Sequence, residues 1–129
     1  MASLAKKEGL HHDTAWTERN PFLNGLVVRY RYRGMPVDFL VPRDPHEATL
    51  PRRLKRVRIA NQTCHVLRPD DYLLLKAKAG RGRDFSDAIR VAVRYLADLD
   101  YKYLRSWSIR LHVFEEMQYI LATAEQGGE

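Results

Sequence analysis

The sequence predicts an α+β fold in which a small mixed or antiparallel sheet of two hairpins packs against three C-terminal helices. Apolar side chains alternate with a period of two in four short segments between residues 26 and 66, and the period changes to about 3.6 from Pro69 onward. A chain of 129 residues with 45% hydrophobic content has room for one core. We therefore predict one domain over residues 25–124, with an irregular or weakly helical arm at 1–24 and a frayed tail at 125–129.

The first hairpin is predicted around Arg33 and Gly34, a two-residue turn between the apolar segments 26–32 and 35–41. This turn sets the register, and one face of the hairpin is then wholly apolar. On the other face Arg29 lies opposite Asp38, a cross-strand pair of opposite charge. The predicted apolar pairs are Tyr32 with Met35, Tyr30 with Val37, Val28 with Phe39, and Leu26 with Val41.

A loop and a second hairpin follow the first hairpin. Residues 42–51 carry two turn signals that contain proline, Asp44-Pro45 and Leu50-Pro51, and we predict a loop there. Residues 56–59 and 63–66 then alternate as strands, with Ala60-Asn61-Gln62 as the turn.

Three helices are predicted after Pro69. The first begins at Pro69 and ends at Gly80, because proline suits the first helical position and glycine the residue after the last one. The second is predicted with Asp84 as its N-cap, and the third over residues 101–124. Asp98-Leu99-Asp100 is predicted to be a turn between the last two helices. The apolar stripe of the second helix is Phe85, Ala88, Ile89, Ala92, Val93 and Leu96.

Charge and cysteine content narrow the class of protein. The chain has 22 Lys and Arg against 16 Asp and Glu, a formal net charge of +6, which favours polyanionic partners. The single cysteine, Cys64, has no intramolecular disulfide partner, and no His or Cys spacing is typical of a zinc site. With no apolar signal region and no membrane-spanning run, we expect a soluble, intracellular protein of the cytoplasm and no membrane partner.

Two basic segments are typical of nucleic-acid backbone binding. One is the strand that carries Tyr30 and Tyr32, whose rings alternate to the opposite face from the arginines and therefore belong to the core. The other is the run at residues 52–56. The candidate nucleic-acid-binding residues are Arg29, Arg31, Arg33, Arg52, Arg53 and Arg56.

The order of these motifs resembles a known enzyme superfamily. A strand with Val37-Asp38-Phe39-Leu40 and a short hairpin precede Pro-Asp-Asp-Tyr-Leu-Leu-Leu-Lys at residues 69–76 and Arg-x-Arg-Asp-Phe-Ser-Asp at 81–87. Residues 25–97 thereby resemble the nucleotidyltransferases of polymerase-beta type, and in particular the AbiEii-like toxins of toxin–antitoxin pairs. The resemblance implies a partial nucleotidyltransferase fold.

The resemblance also implies roles for individual residues. Asp38 is placed as the third metal-binding carboxylate and a catalytic residue, and Lys76 as a catalytic and nucleotide-binding lysine. Asp84 or Asp87 is placed as the later catalytic acid. Arg81 and Arg83 lie in a glycine-rich turn before a helix N-terminus, where guanidinium groups and backbone amides together suit phosphate binding.

The chain departs from the family pattern in one respect. Neither a Gly-Ser turn nor an Asp-x-Asp strand precedes Asp38, whereas nucleotidyl transfer uses paired carboxylates to hold magnesium. We therefore expect a domain that binds nucleotide or RNA and is inactive or weakly active alone, with Mg²⁺ as cofactor if it is catalytic and none otherwise. The missing half is supplied by a partner chain, lost from this sequence, or not needed.

Simpler structural roles compete with each site prediction. A surface ion pair with Arg29 accounts for Asp38, and a solvated position on an amphipathic helix accounts for Lys76. A role as helix N-cap accounts for Asp84. Two other functions also stay open: a non-catalytic basic module that binds nucleic acid, RNA in preference to DNA, and an antitoxin-like subunit that binds a partner protein or forms a homodimer.

Overall fold

The computed structural model describes residues 9–23 and 25–127, which form six α-helices, one 3-10 helix and five strands. The predicted α+β class is confirmed, and both sheets are small and antiparallel. The chain divides into two compact units, Met1–Ala48 and Thr49–Glu129, here called the N-terminal and C-terminal units. This division falls inside a helix, whereas the boundary predicted from the sequence follows residue 24; the single domain over 25–124 stays a prediction.

The N-terminal unit contains a three-stranded sheet in the order β1-β2-β3. The predicted register of β2 and β3 is confirmed, including Val28 with Phe39 and Arg29 with Asp38. Arg33 and Gly34 have φ angles of 49° and 80°, which suit a two-residue turn whose twist matches the strands. The elements are β1 (His11–His12), α1 (Thr14–Arg19), the 3-10 helix (Pro21–Leu23), β2 (Val27–Tyr32) and β3 (Met35–Leu40).

The arm predicted over residues 1–24 contains the weak helical structure that was one of its two alternatives, but its pairing with the sheet was not predicted. His11 and His12 pair with β2, and Asp13 caps α1 by accepting a hydrogen bond of 2.9 Å from the backbone N–H of Trp16. The helix has only six residues, and none of them is buried, so no apolar periodicity marked it in the sequence. Residues 1–8 and Asn24 of the predicted arm lie outside the described residues.

The loop predicted over residues 42–51 is wrong from Pro45 onward, because α2 occupies Pro45–Arg53. The backbone N–H of Glu47 donates a hydrogen bond of 2.8 Å to Oδ1 of Asp44, which satisfies one of the free donors at the helix start. Pro45 at the first helical position needs no such partner. Pro51 lies within the helix, and its ring nitrogen cannot donate a hydrogen bond to the preceding turn. Because proline normally interrupts a helix for this reason, the sequence predicted a loop.

The C-terminal unit begins in α2 and continues with a hairpin and four helices. The predicted second hairpin forms, but Gln62 pairs with Ile59, so the turn is the two residues Ala60 and Asn61, with φ angles of 50° and 64°. None of the helices in the described residues combines the length and apolar character needed to cross a lipid bilayer. The elements are β4 (Lys55–Ile59), β5 (Gln62–Val66), α3 (Pro69–Ala79), α4 (Gly82–Tyr95), α5 (Tyr101–Arg110) and α6 (Phe114–Glu125).

The core of the C-terminal unit lies among the four helices. The most extensive helix–helix packing is between α3 and α4, and the small side chains of Ala77, Ala88 and Ala92 are buried in the core. Val93, predicted on the apolar stripe of α4, is instead 40% exposed. The largest fully buried apolar side chains in this core are Leu73, Leu74, Leu104, Met117 and Ile120.

The helix predicted over residues 101–124 is two helices. His112 has a φ of 60°, and the backbone N–H of Val113 donates a 2.8 Å hydrogen bond to the carbonyl of Ser108 while that of His112 bonds to Ile109. This pair of bonds is a Schellman motif, which normally carries glycine at the left-handed position. Because histidine stands there, the helix end left no glycine signal in the sequence.

Candidate functional site

A cluster of four charged side chains lies where α3 turns into α4. Gly80 ends α3 in a left-handed conformation with φ 67°, and the chain reverses so that the last turn of α3 faces the first turns of α4. Nζ of Lys76 is then 3.3 Å from Oδ1 of Asp84 and 3.3 Å from Oδ2 of Asp87. With Arg81 these residues form what we call the turn cluster.

Asp84 is the centre of the turn cluster and is not the N-cap that the sequence predicts. The helix begins two residues earlier, at Gly82, which places Asp84 at its third position. Oδ2 accepts hydrogen bonds from the backbone N–H of Arg81 at 3.1 Å and from its Nε at 2.6 Å, and Oδ1 accepts one from Nη2 at 3.2 Å. The side chain of Asp84 is 1% exposed.

The neighbours of Asp84 keep it ionised. The hydrogen bonds from the Arg81 side chain are the largest cause, and they outweigh burial and lower the pKa of Asp84 from 3.8 to about 2. A carboxylate with so low a pKa is a weak proton acceptor at neutral pH. The geometry therefore suits Asp84 to holding Lys76 and Arg81 in place.

Lys76 carries its charge between the two carboxylates. Burial lowers the pKa of the ammonium, but the hydrogen bonds to Asp87 and Asp84 raise it by more, so the pKa lies above its ordinary value. Nζ also lies 5.4 Å from the ring centroid of Tyr72, a favourable cation–π distance. The side chain is 24% exposed, so the ammonium is held in position and still reaches solvent.

The exposed edge of the turn cluster is positive. The side chain of Arg81 is 61% exposed, and Arg83 is exposed and forms no ion pair with any carboxylate in the described part of the chain. The backbone N–H groups of Gly82 and Arg83, the first two residues of α4, point out of the helix N-terminus, whereas that of Asp84 bonds to the carbonyl of Arg81. A Cβ added at Gly82 would meet no atom within 4 Å, so packing does not require glycine at this position.

Asp87 is shared between two cations. Its Oδ2 accepts the bond from Lys76, and its Oδ1 accepts one of 2.7 Å from Nη2 of Arg90. The structure therefore brings Lys76, Arg81, Asp84 and Asp87 together, and it places Arg83 on the exposed first turn beside them.

Asp38 belongs to the N-terminal unit, and its partner there is Arg29. Nε of Arg29 donates to Oδ1 at 2.7 Å and Nη2 donates to Oδ2 at 3.0 Å, which is a bidentate pair. These hydrogen bonds hold the pKa of Asp38 below its ordinary value, against a smaller opposing effect of burial. The catalytic and metal roles implied for Asp38 stay predictions.

Two of the predicted acidic side chains are engaged by arginine. Both oxygens of Asp38 and both oxygens of Asp84 accept hydrogen bonds from guanidinium groups, with which a bound ion would compete. In the part of the chain that the structure describes, no three His, Cys, Asp or Glu side chains are grouped so that they could hold a metal ion.

The arginines predicted to bind nucleic acid divide into engaged and exposed side chains. Arg29 bonds to Asp38, Arg31 bonds to Asp13 at 2.9 Å, and Arg53 bonds to Asp71 at 2.8 Å. The remaining three arginines are exposed: Arg33, Arg52 and Arg56.

The sequence interpretation missed a buried polar cluster in the C-terminal unit. Asp71 accepts hydrogen bonds from Nε of Arg53 and from the hydroxyl of Tyr103, and the Arg53 guanidinium lies 3.9 Å from the centroid of the Tyr103 ring. Burial and then the bond to Asp71 raise the pKa of Tyr103 well above its ordinary value. Asp70 accepts a hydrogen bond from the backbone N–H of Asp100. The only signal in the sequence was the pair of acidic residues after Pro69, which a helix start explains equally well.

Comparison of the chain with protein families, with curated proteins and with solved structures found no match. The resemblance to the nucleotidyltransferases thus stays a prediction from the residues themselves.

Proposed function

We propose that this protein is a nucleotidyltransferase-like, nucleotide-binding module whose phosphate site is the edge of the turn cluster. The observation that carries the proposal is the convergence of Lys76, Arg81, Asp84 and Asp87 from two helices. On this proposal the phosphate groups are contacted by Lys76, Arg81 and Arg83. The two aspartates hold the side chains of Lys76 and Arg81 in position.

The chemistry of the edge suits a phosphate chain. Guanidinium groups bind phosphate oxygens in a bidentate manner, and the lysine adds a compact charge. Arg83, exposed and without an ion pair among the described residues, is available without breaking an existing bond. Gly82, which no packing contact requires, leaves the backbone amides of the first turn open to close approach by an anion.

The same chemistry argues against nucleotidyl transfer by this chain alone. Asp84 is a weak base, and the carboxylates of Asp38 and Asp84 are engaged by arginine, so the magnesium that transfer requires would compete with these hydrogen bonds. We therefore propose binding with little or no turnover, unless a partner chain supplies the metal-binding carboxylates. We further propose that the protein acts in the cytoplasm, where its single cysteine stays reduced.

Thermal unfolding in the presence of each of the four nucleoside triphosphates, with and without magnesium, tests the proposal. A ligand that binds only the native state raises the melting temperature, so at least one triphosphate should do so. Lys76→Ala should abolish the shift, and Lys102→Ala should keep it, because Lys102 is an exposed lysine on α5, outside the turn cluster. No shift with any triphosphate, or an equal shift in the Lys76→Ala protein, would overturn the proposal.

A further inference from the structure

The net charge of the chain resides in one segment. Residues 48–69 contain six Lys and Arg and no Asp or Glu, and the other 16 Lys and Arg equal the 16 Asp and Glu of the rest of the chain. The formal net charge of +6 is therefore the charge of this segment. A field concentrated in this way attracts a polyanion to one surface of the protein.

The segment folds into the end of α2 and the β4–β5 hairpin. The register places Arg56 opposite His65 and Arg58 opposite Thr63, so these four side chains share one face of the hairpin. Within the described residues the hairpin pairs with no third strand, and it forms a ribbon of two strands. Arg52, Lys55, Arg56 and Arg58 are exposed, and we call them the basic ribbon, in which Lys55 alternates to the face opposite Arg56 and Arg58.

Two other arginines of the segment fix the ribbon to the helices. Arg53 bonds to the buried Asp71, and Nε of Arg68 donates a 2.7 Å hydrogen bond to the carbonyl of Arg53. At the tip, Nη2 of Arg58 donates a 2.7 Å hydrogen bond to the carbonyl of Asn61. The base of the hairpin is thus tied to α3, which limits the conformational freedom lost when the ribbon binds a partner.

We propose that the basic ribbon binds the phosphodiester backbone of double-stranded nucleic acid, independently of base sequence and of the proposed nucleotide site. The charge of the ribbon matches a polyphosphate backbone, and a two-stranded ribbon is a shape that the major groove of B-form DNA admits. Residues 48–69 contain no Phe, Trp or Tyr, and His65 is the one aromatic ring of the segment, so the ribbon offers little stacking surface for the unstacked bases of a single strand. Both features favour a duplex over a single strand.

Fluorescence anisotropy with labelled duplex DNA, duplex RNA and the matching single strands, without magnesium or nucleotide, tests this proposal. The duplexes should bind more tightly than the single strands, and the two duplex titrations decide between DNA and RNA. The logarithm of the binding constant should fall linearly with the logarithm of salt concentration, because each phosphate contact releases a bound counterion.

A charge-matched pair of variants identifies the surface. Replacing Arg52, Lys55 and Arg56 by glutamine should weaken duplex binding at least tenfold and reduce the salt slope by about 1 per contact removed. Replacing Arg94, Lys102 and Arg110 by glutamine removes the same charge from exposed positions on α4 and α5 and should have a much smaller effect. Both variants keep Arg53 and Arg68, and unchanged melting temperatures will show that both are folded.

Three outcomes would overturn the proposal: no duplex binding at low salt, equal losses in the two triple variants, or tighter binding to anionic lipid vesicles than to any duplex. Lys76→Ala should leave duplex binding unchanged, which separates the test from that of the nucleotide site. A protein that binds duplex but no triphosphate would support this inference and reject the proposed function.

Discussion

The guanidinium of Arg53, at the end of α2, donates a 2.8 Å hydrogen bond to the carboxylate of Asp71, which is 1% exposed at the start of α3. The two residues are 18 positions apart, and the hydroxyl of Tyr103 on α5 donates to the second oxygen of the same carboxylate. This contact joins the helix before the hairpin to the helices after it. Arg53, one of the six cations of the basic segment, therefore has a structural role.

Asp71→Ala should lower the free energy of unfolding by about 3 kcal/mol, because it leaves a partly buried guanidinium and a buried hydroxyl without their acceptor. Tyr103→Phe, which removes one donor, should cost about 1 kcal/mol. Urea denaturation measures both. Arg52→Ala, at an exposed position beside Arg53, should change stability by less than about 0.5 kcal/mol. Equal losses for Asp71→Ala and Arg52→Ala would show that the buried cluster contributes nothing.

Asp84→Asn should change how stability depends on acid. The pKa of Asp84 is lowered from 3.8 to about 2 in the folded protein, so its contribution is complete above the unfolded value and is lost as the pH falls between these two values. Asparagine does not titrate, and the variant should be less stable than the original protein at neutral pH. The difference should vanish near pH 2.

Urea denaturation of the two proteins at a series of pH values from neutral to acid checks this prediction. Taking the difference between them removes the titration of the other carboxylates from the comparison. A stability difference that stays constant down to pH 2 would contradict the assigned direction of the pKa.

Gly82→Ala and Gly80→Ala should differ in their effect on stability, although the two glycines lie only two residues apart. Gly80 has φ 67°, where an alanine Cβ is strained, so Gly80→Ala should destabilise the protein by about 1 kcal/mol. Gly82 is the first residue of α4 with open space around it, so Gly82→Ala should leave stability unchanged or raise it by up to about 1 kcal/mol.

Gly82→Ala also tests the proposed phosphate site. If backbone amides of the first turn of α4 contact phosphate, the methyl group of Gly82→Ala should weaken triphosphate binding although the fold is intact. Calorimetric titration of the variant with the triphosphate that stabilises the original protein measures this. Unchanged affinity would move the phosphate contacts away from the backbone of α4.

His112→Gly should stabilise the protein by about 0.5–1 kcal/mol, because glycine adopts the left-handed conformation of the α5–α6 connection without strain. Ser106→Gly, which introduces the same residue at an exposed position inside α5, should destabilise it by about 0.5–1 kcal/mol. Thermal unfolding compares the two. A loss of stability in His112→Gly would mean that the imidazole contributes more than the strain it imposes.

The parts of this protein that the sequence predicted correctly depend on neighbouring residues. The β2–β3 register follows from a two-residue turn and from alternation on either side of it, and both are visible in the 14 consecutive residues 27–40. The bounds of α3 follow from Pro69 and Gly80, whose backbone preferences act at their own positions. The errors arose where a local signal was ambiguous: Pro51 inside α2, and a histidine in the place of glycine at the end of α5.

The sequence by itself determined the α+β class, the first hairpin, the extent of α3 and the concentration of positive charge in residues 48–69, since composition, alternation and backbone preference are properties of adjacent residues. Only the tertiary structure decided which charges are used internally. It paired Arg53 with Asp71, Lys76 with Asp84 and Asp87, and Arg29 with Asp38, and so left Arg83 and the basic ribbon facing solvent. The physical reason is that an ion pair depends on distance in space, and residues 8 to 18 positions apart meet only after helices and strands have packed.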